Sequence, residues 1–239
     1  MRIALSLAAL LLAANAATAG PSKLIEPSLR LPPSATGGQV RVALTLDACG
    51  GRTDDRILSA LVENRIPATI FATGLWLRRN PEAVAVLKAH PDLFEVEDHG
   101  ARHLPAIDRP LRVYGIASAG SPEAVSQEVL GGAEALSKAG FAKPGWFRGA
   151  TAKYTPTSIA EIRKLGFRVA GFSLNSDKGA QLSAAATERN VERARDGDVL
   201  IAHVNQPTRS AGAGLVKGLL ALKARGVTFV RLADAEGNV

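Results

Sequence analysis

Of the chain's four histidines, three directly follow apolar, strand-like runs. His99 and His103 lie in Glu97-Asp98-His99-Gly100-Ala101-Arg102-His103, past the run 93–96, and His203 follows 198–202. Asp47 closes the run 40–46 (VRVALTL) and opens Asp47-Ala48-Cys49-Gly50-Gly51. Arg148 follows 145–147, while Asn175 and Asp177 follow 168–174. Histidines four apart share one face of a helical turn, where both can bind one divalent metal. The same spacing suits two surface or capping histidines. A carboxylate at the end of an apolar strand is costly unless paired or bound, which marks Asp47 as functional. Its other reading, a cap for the next helix, is weakened by the intervening Gly50-Gly51. Arg148 could equally pair with a structural acid, and His203 could be a satisfied core histidine. Each is ambiguous alone; together they mark one site.

The elements that must position these residues alternate. Strand-like runs cover 40–46, 67–73, 93–96, 145–147, 168–174, 198–202 and 227–232. Helical spacing covers 54–64, 81–89, 121–139, 157–165, 184–195 and 215–225. In 54–64, for example, Ile57, Leu58, Leu61 and Val62 share one face. Ser121-Pro122-Glu123 starts one helix and Gly140 stops it. Strand–helix alternation implies a mostly parallel sheet covered by helices. Seven strands suit a distorted or incomplete (β/α) barrel, with a doubly wound open sheet as the alternative. Active residues in such folds gather past the carboxyl ends of strands, where these residues lie. The stretch 104–120 fits no element and reads as an insertion loop.

Composition narrows the function classes. The 239 residues are 46% hydrophobic and 21% charged, which is globular rather than disordered. A mean hydropathy of +0.08 argues against a polytopic membrane protein. A single cysteine excludes an intrachain disulfide and a Cys-rich zinc module. Residues 1–19 read as a secretory signal: Arg2, an apolar Ala/Leu run, then Ala17-Thr18-Ala19 before Gly20. Residues 20–38 read as a leader to a domain spanning 39–239. The chain is therefore expected to be exported, periplasmic or secreted, with no integral membrane segment after signal cleavage. A net charge of +7 favours an anionic partner. No basic cluster interleaves with aromatics, so a nucleic-acid partner is not expected.

The set, in this order, resembles the polysaccharide deacetylase family (the NodB-homology domain, carbohydrate esterase family 4) over residues 40 to 232. Thr45-Leu46-Asp47-Ala48 resembles the family's T-F-D-D motif, and His99-Gly100-Ala101-Arg102-His103 its H-[ST]-x-x-H motif. Phe147-Arg148-Gly149-Ala150 partly matches R-P-P-Y-G, Ser173 to Asp177 is similar to the fourth motif, and Ile201-Ala202-His203 resembles L-x-H. The resemblance implies a distorted seven-stranded (β/α) barrel. It also implies hydrolysis of N-acetyl or O-acetyl groups on a cell-wall or surface glycan, peptidoglycan being one such polymer. It makes Asp47 the general base, His99 and His103 metal ligands, and His203 the general acid. Arg148 would orient Asp47, and Asp177 would support the site or the substrate. The metal expected on two imidazoles is zinc, with nickel or cobalt also suited.

The chain departs from the family where Ala48 replaces the second, metal-ligating acid. Asp47 could ligate instead, or a third ligand could come from Asp54 or Asp98, with Cys49 ranked behind them; otherwise metal and activity weaken. Two other functions therefore stay in view. One is a catalytically weak glycan-binding envelope protein on the same fold. The other is a deacylase of a small amide, because aromatics are only 5% and offer no clear sugar-stacking platform.

Overall fold

The computed structural model describes residues 23–33 and 38–236. The signal-like segment 1–19 lies outside the described residues. In chain order the elements are β1 (Arg41–Ala48), α1 (Asp55–Glu63), β2 (Ala68–Ala72), α2 (Gly74–Arg79), α3 (Pro81–Ala89) and β3 (Phe94–Asp98). A small hairpin, β4 (Arg112–Val113) and β5 (Ile116–Ala117), precedes α4 (Pro122–Lys138), β6 (Trp146–Phe147) and α5 (Pro156–Lys164). Then come β7 (Arg168–Val169), β8 (Leu174–Asn175), α6 (Ala184–Glu192), β9 (Val199–His203), α7 (Ala211–Ala224), β10 (Thr228–Val230) and α8 (Leu232–Glu236).

Seven strands run in the order β7-β6-β3-β2-β1-β9-β8, every pair parallel. The sheet curls into an open barrel with helices outside, as the alternation implies. β10 lies against the first residues of β1, Arg41 to Ala43, on the edge that β2 takes over from Thr45 onward. The run 168–174, one strand in the sequence reading, is two short strands here. Its middle carries other bonds. The Gly171 carbonyl accepts from Arg148 (2.9 Å), and a Cβ at Gly171 would sit 2.1 Å from the Pro27 carbonyl. The segment 25–31 docks there, bridging Ile25 to Tyr154 and Arg30 to Asp198.

The strands' period of two divides the core. Val42, Leu44, Leu46 and Ala48 of β1 join Ala72, Leu200 and Ala202 in the large cluster under the helices. Ala43 joins Phe71, Trp146, Ala170 and Val199 in a smaller one inside the curl. Burying Leu44 or Leu46 completely contributes about 1.5–3 kcal/mol each. Thr45, Asp47 and Cys49 therefore face the concave side. In-register neighbours share a face, so Phe71 and His203 flank Asp47, while Ala72 flanks Ala48 and continues to Asp98. The caps hold helices at their strand ends. Asp54, Thr73, Ser121, Thr155 and Ser183 each accept a backbone N–H of the first turn they precede.

Candidate active site

The concave face at the carboxyl end of β1, β3, β6 and β9 gathers Asp47, Cys49, His99, Arg148 and His203, and His103 joins from the following loop. Arg148 is 0% exposed and acts as the internal strut. Its Nη1 donates to Asp47 Oδ1 and to Thr45 Oγ1, both at 2.9 Å. Its guanidinium stacks on Phe71, 4.2 Å from the ring centre. Asp47 Oδ2 lies 3.8 Å from His99 Nε2. Burial opposes the charge on Asp47, but His99, Arg148 and His203 outweigh it and hold the carboxyl below its usual range.

His99 is 1% exposed, and its Nδ1 donates to the Arg148 carbonyl at 2.5 Å. That bond fixes the tautomer and leaves Nε2 facing Asp47 and Cys49, whose Sγ is 3.6 Å away. Burial lowers the His99 pKa, yet Asp47 and Cys49 reverse this and push it up to about 9. Burial likewise opposes a Cys49 thiolate, but contacts with His103, His203 and His99 hold the thiol well below its usual range.

His99 and His103 do meet, with ring centroids 5.1 Å apart, but not on a helical turn. They sit at either end of a loop with two left-handed residues, Gly100 at φ 89° and His103 at φ 63°. A positive φ at a histidine is strained and needs support from its surroundings. Glu128, fully buried on α4, supplies it: Oε1 accepts from the N–H groups of Arg102 (2.9 Å) and Leu104 (3.0 Å), and its carbonyl accepts from Ala101. Sequence reasoning missed Glu128. The available signal was an acid beside Val125, Val129, Gly132 and Leu136, the buried stripe of α4. Thr45 was missed too, as was Glu97, which accepts from Trp146 N at 2.7 Å and is pushed up to about 8 chiefly by burial.

His203 Nδ1 lies 3.0 Å from Asp177 Oδ1, and its backbone N–H donates to Oδ2 at 2.8 Å. Asp177 therefore orients His203 and leaves its Nε2 for the site. Burial lowers the His203 pKa, but Asp177 and Cys49 raise it well above the usual value.

The structure brings neither Asp54 nor Asp98 to the two histidines. Asp54 caps α1 and pairs with Arg56 at 2.6 Å. Asp98 shares the face of Ala72 and Ala48, toward α4. Its Oδ1 accepts from Gly100 N at 2.7 Å, and burial raises its pKa well above the carboxylate range. The side chains that do converge are Cys49, His99 and His103, with ligand atoms all within 4.8 Å of one another. One thiol and two imidazoles are a donor set that fits a divalent transition metal and leaves a coordination position open.

The polysaccharide deacetylase family profile matches residues 34–170. No curated protein matches the chain. Among solved structures, a peptidoglycan deacetylase from Bacillus subtilis superposes with a TM-score of 0.68 at 20% identity, over 83% of this chain and 91% of that one. A family 4 carbohydrate esterase from Streptomyces lividans, solved with acetate, gives 0.63 at 20% identity over 80% and 91%. A carbohydrate esterase family 4 pseudoenzyme from Bacillus anthracis gives 0.65 at 18% identity, over 82% of this chain and 65% of that one. At these identities the likeness is one of fold.

Proposed function

We propose that this chain, which belongs to the polysaccharide deacetylase family, is a metal-dependent hydrolase that removes acetyl groups from a cell-wall or surface glycan. The observation that carries the reading is the convergence of Asp47, His99, His103, Arg148 and His203 from separate strand ends on one concave face. His99 and His103 would hold a divalent metal, zinc by imidazole preference with nickel or cobalt as substitutes. Such a cation supplies charge that polarises the acetyl carbonyl and acidifies the attacking water.

The chain's own groups do the rest. Asp47, ionised and gripped by Arg148, accepts the water's proton. Arg148 has no spare freedom to move, since Asp47, Thr45 and the Gly171 carbonyl all hold it. His203, protonated and oriented by Asp177, donates to the departing nitrogen or oxygen. Base and acid lie on in-register neighbours, Asp47 opposite His203, so both face the same concave surface. The similarity to peptidoglycan deacetylases supports an acetylated wall polymer as substrate. The signal-like residues 1–19 support an exported, periplasmic or secreted location, and no helix among the described residues is long and apolar enough to cross a membrane.

A second reading, a weakly active glycan-binding protein, is favoured by one observation: position 48 carries an apolar Ala48. Acetate release from N-acetylated peptidoglycan by zinc-loaded protein separates the two. Turnover abolished by chelation and restored by zinc supports the hydrolase. Glycan binding without turnover at saturating zinc supports the binding protein.

A further inference from the structure

We propose that the third protein ligand of the metal is the sulfur of Cys49, the ligating role having moved one residue along β1. The inference rests on the metal-dependent reading above and deepens it. The strand's period of two carries the argument. Thr45, Asp47 and Cys49 face the concave side, and Ala48 faces the helices, fully buried among Leu46, Ala72 and Trp76. On this backbone an acid at 48 would enter an apolar core instead of the site. The next concave-facing position after Asp47 is Cys49.

Distances agree. A tetrahedral metal with sulfur at about 2.3 Å and nitrogen at about 2.0–2.1 Å has ligand–ligand edges of roughly 3.3–3.6 Å. Cys49 Sγ already lies 3.6 Å from His99 Nε2. All three ligand atoms lie within 4.8 Å of one another, so closing the site needs shifts of about 1 Å. His99 is the anchored member, with Nδ1 bonded to the Arg148 carbonyl and Nε2 presented to the site. Asp47 gives one oxygen to Arg148 and has the other 3.8 Å from His99 Nε2, but it stands outside the mutually close trio of Cys49, His99 and His103; Asp54 is held by Arg56 and Asp177 by His203, while Asp98 faces α4. A thiolate with two imidazoles is a softer set than a carboxylate with two imidazoles, and favours zinc or cobalt over magnesium and manganese.

Cobalt titration of chelator-stripped protein provides the test. Cys49 is the chain's one cysteine, so a thiolate-to-cobalt charge-transfer band in the near ultraviolet reports this residue alone. The expected result is one bound cobalt with that band. Cys49→Ser should lose the band and weaken cobalt binding by at least about 100-fold, the upper end of what losing an outer-shell partner costs. Cys49→Asp should recover affinity without the band, and adding Ala48→Asp to Cys49→Ser should not. Stoichiometric cobalt in wild type without the band overturns the cysteine ligand and leaves the metal-dependent reading standing. No cobalt bound by wild type overturns both. Rescue of Cys49→Ser by Ala48→Asp overturns the shifted-ligand argument.

Discussion

Replacing Arg148 with Met tests how the base is held. Arg148 is 0% exposed, and Asp47 is 4% exposed with one oxygen on Arg148 Nη1. Met keeps the bulk against Phe71 and removes the charge. Asp47 is then a buried carboxylate without its cation, and the Gly171 carbonyl loses its donor. Breaking a buried pair from one side costs about 3–5 kcal/mol. In a domain of this size that lowers Tm by roughly 6–20 °C. The sign with pH follows from Asp47, whose folded pKa is lowered. Its stabilisation is present above about pH 3.9 and lost as pH falls through the folded value. The deficit of Arg148→Met should therefore be full at high pH and shrink as pH falls through the variant's Asp47 pKa, which burial without the cation raises above the ordinary value of about 3.9. Urea unfolding of the metal-free proteins at several pH values measures this. Adding Asp47→Asn removes the orphaned charge, so the double variant should be more stable than Arg148→Met alone. A single variant within about 1 kcal/mol of wild type at pH 7 would refute the strut argument.

Three further expectations follow from the same geometry. Asp47→Asn should keep most of its bound metal while deacetylation falls at least ~10²-fold; metal lost together with activity would make Asp47 a ligand. Asp177→Asn removes the charge that raises the His203 pKa, so the basic limb of the pH–kcat/KM profile should move to lower pH, and an unmoved limb would count against the orienting pair. His203's raised pKa also gives stability that is present below about pH 6.5 and lost as pH rises through the folded value, so the stability gap of this variant should close as pH rises through that value. Glu128→Ala leaves the N–H groups of Arg102 and Leu104 without their acceptor; zinc affinity, by competition with a chromophoric chelator, should fall about 10–100-fold, and unchanged affinity would show that the loop holds itself.

The alternation of strand and helix was readable because β1, β2 and β9 are long apolar runs with little else to mean. The break in 168–174 was not, because it comes from distant partners: Pro27 and Arg148 take backbone groups that a lone run would give to a ladder. Helix α2 was hidden because its six residues directly follow Thr73 and precede Pro81, so no stretch long enough to show a period exists. At the site, residue types at strand ends pointed to Asp47, His99, Arg148 and His203, which the structure brings together, since ends are local features. The facing of Ala48 and Asp98 away from the histidines depended on register across three strands. Spacing alone suggested a helical turn for His99 and His103, whereas Gly100, His103 and Glu128 build a left-handed loop instead.

Titrating zinc into chelator-stripped protein while following acetate release from N-acetylated peptidoglycan decides whether this concave face is a metal-dependent deacetylase centre. Acetate release should be absent without zinc, rise until one zinc is bound per chain, and stay absent in the His99→Ala variant. Full release from the stripped protein, or none at saturating zinc, would contradict that assignment.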